Sequence, residues 1–352
     1  MILDDRKRIA TLDPGGVLAS IEALPNQIME AWDEARAVRM PASYSDACAV
    51  AVAGMGGSAL GAHIARSVYG RELGLPFSIT NHYELPVVDP ATLVILSSYS
   101  GNTEEVLAAG KQALKVKAKV AVATSGGALA DWSRRHKIPG YVFTPAHNPS
   151  GQPRTGLGYG VFGFLGLLHA AGLLRIRQAE IVAAVAAAHA AVNRFGASVP
   201  ASRNPAKRLA RALADSGALI VSAEHLSGNG HALQNQIHET GKHFAAWFDL
   251  PELDHHLLEG LTHPSGKKLH AVFLSSRKYH PRVRARIPIT ADVLKRQGVS
   301  ATMFVPGETT LLGEAVETLV FGGYVSFYLA MLHGENPSLV PWVDSLKRML
   351  GG

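Results

Sequence analysis

The sequence predicts an α/β protein of two domains, each a doubly wound parallel sheet flanked by helices. Short, wholly apolar runs end in glycine or hydroxyl residues and give way to helical patterns, as strands covered on both faces require. The pattern stops at a Pro- and Gly-rich linker and then resumes. With 352 residues, 47% hydrophobic and 18% charged, the chain is long enough for two cores and too apolar for a disordered or low-complexity polymer.

Ahead of the first strand, Ile21, Leu24, Ile28 and Trp32 recur at helical spacing, with Pro25 near a helix start. Residues 1–44 therefore read as an amphipathic helical arm. The first domain, residues 45–195, opens with Ala47–Ala53, which ends in Gly54 and takes in Cys48 as a small core residue. A second strand is expected near Phe77–Thr80. Thr92–Leu96 ends in Ser97 and Ser98, and Val120–Ala123 ends in Thr124, Ser125 and Gly126. An Ala-rich helix from Ala179 to Phe195 leads into the linker, residues 196–205. In residues 206–352 the same order returns: Ala218–Val221 before Ser222, His270–Leu274 before Ser275 and Ser276, and Thr302–Val305 before Pro306 and Gly307. This is an internal duplication in pattern. Ligands of such sheets lie beyond the carboxyl ends of the strands, which directs attention to those turns.

Composition removes several classes. The excess of basic over acidic residues, 34 − 28 = +6, is modest and favours anionic ligands, and no nucleic-acid module accompanies it. Residues 155–174 carry no formal charge, but five glycines crowd the first half and His169 interrupts the second. Neither this stretch nor Leu319–Leu332 supplies the roughly 20 continuous apolar residues of a spanning helix. Both read as helices buried in a core or in a subunit interface, so an oligomer and no membrane partner are expected. One cysteine cannot form an internal disulfide or a cysteine metal cage, which points to the cytoplasm. The acids near the start do not fit a secretion signal.

Several turns carry chemistry. Gly54-Met-Gly-Gly-Ser-Ala-Leu-Gly61 suits an anion at a helix start. It also fits a loose dinucleotide fingerprint, but the strand that should end in a ribose-binding acid runs into Asn81, which weighs against a nicotinamide cofactor. Ser97-Ser-Tyr-Ser-Gly-Asn-Thr-Glu-Glu105 gathers neutral donors suited to a phosphate monoester. A capping box from Asn102 to Glu105 would explain two of those residues but not Ser98, Ser100 and Thr103 together. Thr124-Ser-Gly-Gly127 reads as a plain turn. Arg154, in Pro149-Ser-Gly-Gln-Pro-Arg-Thr155, either lies on the surface or points inward to a carboxylate or oxyanion. His238-Glu239 raises a zinc-protease helix, but Lys242 stands where its second histidine belongs. A helix-borne carboxylate then remains, with His255 and His256 a loop later: components of acid/base chemistry. Arg277, Lys278, Arg282, Arg284 and Arg286 read as a solvated face.

With these motifs assembled, the chain resembles the bifunctional phosphoglucose/phosphomannose isomerases, built from two sugar-isomerase (SIS) domains of flavodoxin-like form. Gly54–Ser58, Ser98–Thr103, Gln152-Pro-Arg154, Asn235–Glu239 and Pro251–His255 occur in that family's order. The resemblance implies that Gly56, Gly57, Ser58, Ser98, Ser100 and Thr103 hold the sugar phosphate. It makes Glu239 the catalytic base, Arg154 the arginine near the reacting carbons, His255 the ring-opening histidine given by the neighbouring subunit, and Lys347 a lysine reaching the same site. It implies a cytoplasmic homodimer that acts on glucose 6-phosphate, mannose 6-phosphate and fructose 6-phosphate, with no cofactor and no metal. Asp254 departs from the expected asparagine, and Thr240-Gly241 replaces the usual polar residues after the glutamate. The rivals are a non-catalytic SIS regulator, which would leave the acid/base segment idle, and an aminosugar synthase, which would need an amidotransferase domain.

Overall fold

The computed structural model describes residues 2–350. The arm comprises α1 (Arg6–Leu12), α2 (Val17–Glu22) and α3 (Leu24–Arg36). Asp5 caps α1 by accepting from the amides of Lys7 and Arg8, and Pro25 sits in the first turn of α3, where its missing N–H costs nothing. The first domain continues through β1 (Ala49–Gly54), α4 (Gly57–Leu73), β2 (Phe77–Thr80), β3 (Thr92–Ser97), α5 (Glu104–Lys115), β4 (Lys119–Thr124), α6 (Gly127–Arg135), β5 (Gly140–Val142), α7 (Leu157–Ala170) and α8 (Gln178–Phe195). The second holds α9 (Pro205–Leu213), β6 (Gly217–Ser222), α10 (Ser227–Glu239), β7 (Ala245–Asp249), α11 (Leu257–Gly260), β8 (Leu269–Leu274), α12 (Pro281–Arg296), β9 (Ser300–Phe304), α13 (Leu311–His333) and α14 (Pro341–Met349).

Both sheets are parallel. The first runs β2-β1-β3-β4-β5 and the second β7-β6-β8-β9, so β6, β7, β8 and β9 repeat the places of β1, β2, β3 and β4. Val50–Gly54 and Thr92–Leu96 are buried throughout, which is why their sequences are continuously apolar. Strand β5 is only three residues long, too short to leave a signal in the sequence.

The arm belongs to the first core. Gln27 of α3 donates through Nε2 to the carbonyls of Ser20, His147 and Thr155 at 3.1, 3.0 and 3.0 Å, and its Oε1 accepts from the Gly158 amide at 3.2 Å. Helix α3 lies along α7, and the glycines that count against a membrane reading of α7 serve this crossing: a Cβ on Gly166 would lie 2.6 Å from that of Ala35. Helix α13 is long and apolar enough to cross a bilayer, yet Leu312–Met331 is wholly buried, packed on α8, α9 and α10. Both apolar stretches are therefore core helices. The linker is pinned by Asn204, which caps α9 through Oδ1 and donates to the Phe195 carbonyl at 2.7 Å.

Cys48 differs from expectation. It is exposed and precedes β1: its amide donates to the Ala91 carbonyl at 2.8 Å, which starts the ladder and leaves the thiol outside the covered faces.

Helices α4 and α10, which follow the first strand in sequence of each sheet, β1 and β6, cross in close contact. A Cβ on Gly228 would lie 2.6 Å from the His63 carbonyl, and the Gly228 amide donates to Ser67 Oγ at 2.9 Å. The rings of His63 and His231 meet edge to face, 4.6 Å between centroids, with His63 Nε2 and His231 Nδ1 buried and without a hydrogen-bond partner among the described residues. Helix α4 begins at the glycine turn of the first sheet and α10 ends at Glu239, so this crossing sets the distance between the two halves of the site.

Candidate active site

The crevice of the first sheet is built from three turns that brace one another. Gly56, at φ +48° and ψ −129°, turns the chain from β1 into α4, a conformation that a side chain would strain. Ser97 Oγ donates to the Ser58 carbonyl at 2.8 Å, and Ser58 Oγ accepts from the Tyr99 amide at 2.8 Å, which ties the β1 turn to the β3 turn. Ser98 is buried, its Oγ 2.7 Å from Thr103 Oγ1 and accepting from the Gly101 amide at 3.0 Å. Ser100 is exposed.

The capping-box explanation fails here. Thr103, not Asn102, is the N-cap of α5, and Asn102 Oδ1 instead accepts from the Ala128 amide at 3.0 Å, capping α6. The turn read as plain, Thr124–Gly127, is the wall behind the serine loop. Gly101, at φ +72°, passes so near it that a Cβ would stand 1.8 Å from the Gly126 carbonyl oxygen.

A chain of hydrogen bonds leads from this cradle to the acid. Asn148 Nδ2 donates to Tyr99 Oη at 2.7 Å and to the Gln152 carbonyl at 2.9 Å. Gln152 Oε1 accepts from Arg154 Nη1 at 2.9 Å. Arg154 occupies a 3-10 turn, Pro153–Thr155, pressed against the start of α4, where a Cβ on Gly57 would lie 3.2 Å from the Arg154 amide nitrogen. The surface alternative for this arginine is excluded, since only 2% of it is exposed.

All the guanidinium donors are engaged. Nε donates to Thr240 Oγ1 at 3.0 Å; Nη1 faces Gln152 and, at 3.5 Å, Glu239 Oε2; Nη2 donates to the carbonyls of Pro337 and Ser338, both at 2.8 Å. Burial draws the pKa of Arg154 below its usual value, partly opposed by Glu239 and Asp344.

Glu239 closes α10 with its side chain 33% exposed, reaching from the dry arginine toward solvent. Lys242, at φ +52°, folds back so that Nζ donates to the Glu239 carbonyl and lies 3.4 Å from that of Pro337. Burial first, and then the Arg154 charge, push its ammonium down to about 8. Lys242, His238 and His243 line an open groove with Trp342.

Sequence reasoning does not single out Asn148, Gln152, Thr240 and Lys242 as site residues. Gln152, Thr240 and Lys242 lie inside the motifs, and Lys242 stands out there only as the residue that breaks a zinc helix. Hydrogen-bonding chemistry at those positions is the available signal.

Two expected site residues stand apart within the chain. His255 ends a 3-10 turn, Glu252–His255, and is exposed; His256 Nε2 lies 2.9 Å from Glu252 Oε2. Lys347 is exposed on α14. Among the described residues, no hydrogen bond links His255 or Lys347 to Arg154 or Glu239. The aspartate in place of asparagine has its own use: Asp254 accepts from Arg286 Nη1 and Thr290 Oγ1, both at 2.8 Å, and fastens the histidine turn to α12. Arg286 and Lys278, the latter 3.1 Å from Glu314, are thus paired rather than part of a merely solvated face.

A carboxylate at the edge of solvent beside a guanidinium fixed in a dry site can move a proton at a carbon next to a carbonyl, with the cation facing the developing oxyanion. The neutral cradle one turn away suits a phosphate monoester.

A family model described as "Bacterial phospho-glucose isomerase C-terminal SIS domain" matches residues 202–350. The chain is 32% identical over 343 residues to a bifunctional phosphoglucose/phosphomannose isomerase of Caldicellulosiruptor bescii, covering 94% of this chain and 98% of that one. A protein of the same description from Aquifex aeolicus is 27% identical over 301 residues, 84% of this chain and 88% of that one. A solved structure of a hypothetical protein from Thermus thermophilus superposes with a TM-score of 0.72 at 20% identity, covering 98% of this chain and 93% of that one, a likeness of fold.

Proposed function

The chain belongs to the bifunctional phosphoglucose/phosphomannose isomerase family, and from that premise we propose that it interconverts glucose 6-phosphate and mannose 6-phosphate with fructose 6-phosphate. The observation that carries this reading is the continuous path from Ser98 and Tyr99 through Asn148 and Gln152 to Arg154 and Glu239. In it Gly56, Gly57, Ser58, Ser98, Ser100 and Thr103 form the phosphate cradle, whose binding energy orients the first two carbons of the sugar. After ring opening, Glu239 takes the proton from C2 of the aldose as the C1 carbonyl oxygen gains one, giving a cis-enediol. The same carboxyl returns its proton to C1, and the C2 hydroxyl loses its own to become the ketone. Either C2 epimer yields the same enediol, the chemical basis for accepting both aldoses. Arg154 opposes the negative charge on the enediol oxygens.

The working unit in this reading is a cytoplasmic homodimer with shared sites. Helix α14 buries none of its residues and leaves Trp342 87% exposed, an apolar face suited to a second copy of the chain. His255 of the partner subunit then opens the ring, and Lys347 approaches the phosphosugar. The single cysteine is compatible with a reducing compartment.

An assay from fructose 6-phosphate that follows glucose 6-phosphate and mannose 6-phosphate separately tests the activity. Glu239→Gln should lower kcat by about a thousandfold or more while fructose 6-phosphate still raises the melting temperature; retained turnover would remove Glu239 from the role. Mixing inactive Glu239→Gln and His255→Ala chains should restore about a quarter of wild-type activity, because half the dimers are mixed and each has one intact site. No recovery after verified subunit exchange would place His255 in its own chain's site.

A further inference from the structure

The second sheet repeats the strand order of the first, so its loops after β6, β8 and β9 stand where the first sheet carries its cradle. That crevice is filled from within. Glu314, in the first turn of α13, is 2% exposed and reaches the ends of β6 and β8. Its Oε2 lies 2.7 Å from His225 Nε2, in the turn after β6, and accepts from Ser276 Oγ, in the turn after β8, at 2.5 Å. Its Oε1 lies 3.1 Å from Lys278 Nζ. His225 and Ser276 are themselves buried, and Ser276 Oγ also accepts from the Lys278 amide at 2.9 Å. The Tyr279 ring packs edge-on against His225, with its hydroxyl donating to the Leu274 carbonyl at 2.9 Å.

A buried carboxylate without partners would be driven to protonate. Here burial pushes the Glu314 pKa up, but His225, Ser276 and Lys278 more than offset it, so the group titrates below its usual value and stays ionised. With the oxygen charged, the imidazole nitrogen must donate. An imidazole N–H, a hydroxyl and an ammonium converging on one buried anion are the furniture of an anion-binding pocket.

We propose that the crevice at the carboxyl ends of β6 and β8 is an anion site permanently occupied by the side chain of Glu314. The second domain accordingly takes no phosphosugar, and each chain binds one. The ligand class that fits the vacated pocket is a small carboxylate such as acetate or formate.

Thermal unfolding of the full chain in acetate against chloride, at equal ionic strength, tests this. Glu314→Ala should melt about 10 °C below wild type, and tens of millimolar acetate should recover at least half of that loss. Wild type should not respond. Acetate acting on both chains alike, or on neither, would overturn the proposal. Glu314→Gln keeps the volume and removes the charge; it should melt lower than wild type without responding to acetate, and a glutamine variant as stable as wild type would also overturn it. Calorimetric titration of the wild-type chain with fructose 6-phosphate should saturate at one per chain, and two would refute the closure of the second crevice.

Discussion

The loops beyond β1, β3 and β4 and those beyond β6, β8 and β9 sit at equivalent places on two sheets of the same order, yet they are lined by opposite chemistry. The first set is glycine and hydroxyl, with backbone amides at the starts of α4, α5 and α6; the second is imidazole, ammonium and a buried carboxylate. Neutral donors held by one another, as Ser98 is by Thr103 and Gly101, accept a dianion without a large desolvation cost in its absence. A buried imidazole and hydroxyl beside the Lys278 ammonium, all turned to one point, need a resident acceptor there, and the Glu314 carboxylate is that acceptor. On the proposed reading, the duplicated scaffold gives one half to substrate and the other to internal cohesion with few substitutions at strand ends.

The comparison can be broken by changing matched residues, the largest effect coming from Gly101→Ala. A Cβ there meets the Gly126 carbonyl at 1.8 Å on a left-handed backbone, so the variant should lose about 2–4 kcal/mol of stability and raise KM for fructose 6-phosphate more than tenfold; an unchanged KM would detach the serine loop from substrate. The next effect is a pair. Ser98→Ala should raise KM about tenfold, whereas Ser276→Ala should leave KM alone and cost about 1–3 kcal/mol of stability by stripping a donor from a buried charge. Steady-state kinetics and denaturant titration on both variants check the crossed pattern, and equal KM shifts would erase the distinction between the crevices.

The last effect concerns the joint between the halves and vanishes at neutral pH. Burial first, and then the neighbouring His231 and Arg66, push His63 down to about 3. Its folded value lies below the unfolded one, near 6.5, so below pH 6.5 the unfolded chain binds the proton that the folded chain refuses. Stability should therefore fall as pH drops from 6.5 toward 3, by up to about 1.4 kcal/mol per pH unit from this ring. His63→Gln should flatten the profile over that window; melts at pH 7, 6, 5 and 4 with identical slopes in both proteins would show that the joint is not acid-sensitive.

Much of this architecture is legible in the sequence. The inner strands β1, β3, β6 and β8 show as apolar runs because parallel strands buried on two faces have no polar side to interrupt them, whereas the edge strands β5 and β7 leave no such run; the motif residues lie at the carboxyl ends of the strands for the same topological reason. Cys48 departs from its expected place because an apolar run does not mark where pairing begins. The capping-box alternative falls only in the folded chain, because Asn102 caps a helix 26 residues away, a contact that local spacing does not encode. The roles of Thr240, Gln152 and the carbonyls of Pro337 and Ser338 are not legible in the sequence for a related reason: they matter through one arginine that gathers several segments, and only folding brings them to it. Glu314 draws no notice in the sequence, because only folding brings His225, Ser276 and Lys278 to it.

The full engagement of Arg154 has a consequence for substrate entry. Its Nε and both terminal nitrogens already face acceptors, so an incoming oxygen can be received only by evicting one. The least firmly held is Glu239 Oε2, at 3.5 Å against 2.8–3.0 Å for the rest. In the proposed mechanism the sugar's arrival at that vertex would exchange carboxylate for the substrate's carbonyl or hydroxyl oxygen, unhitching Glu239 as the work for it begins, while the Pro337 and Ser338 carbonyls keep the guanidinium plane from turning.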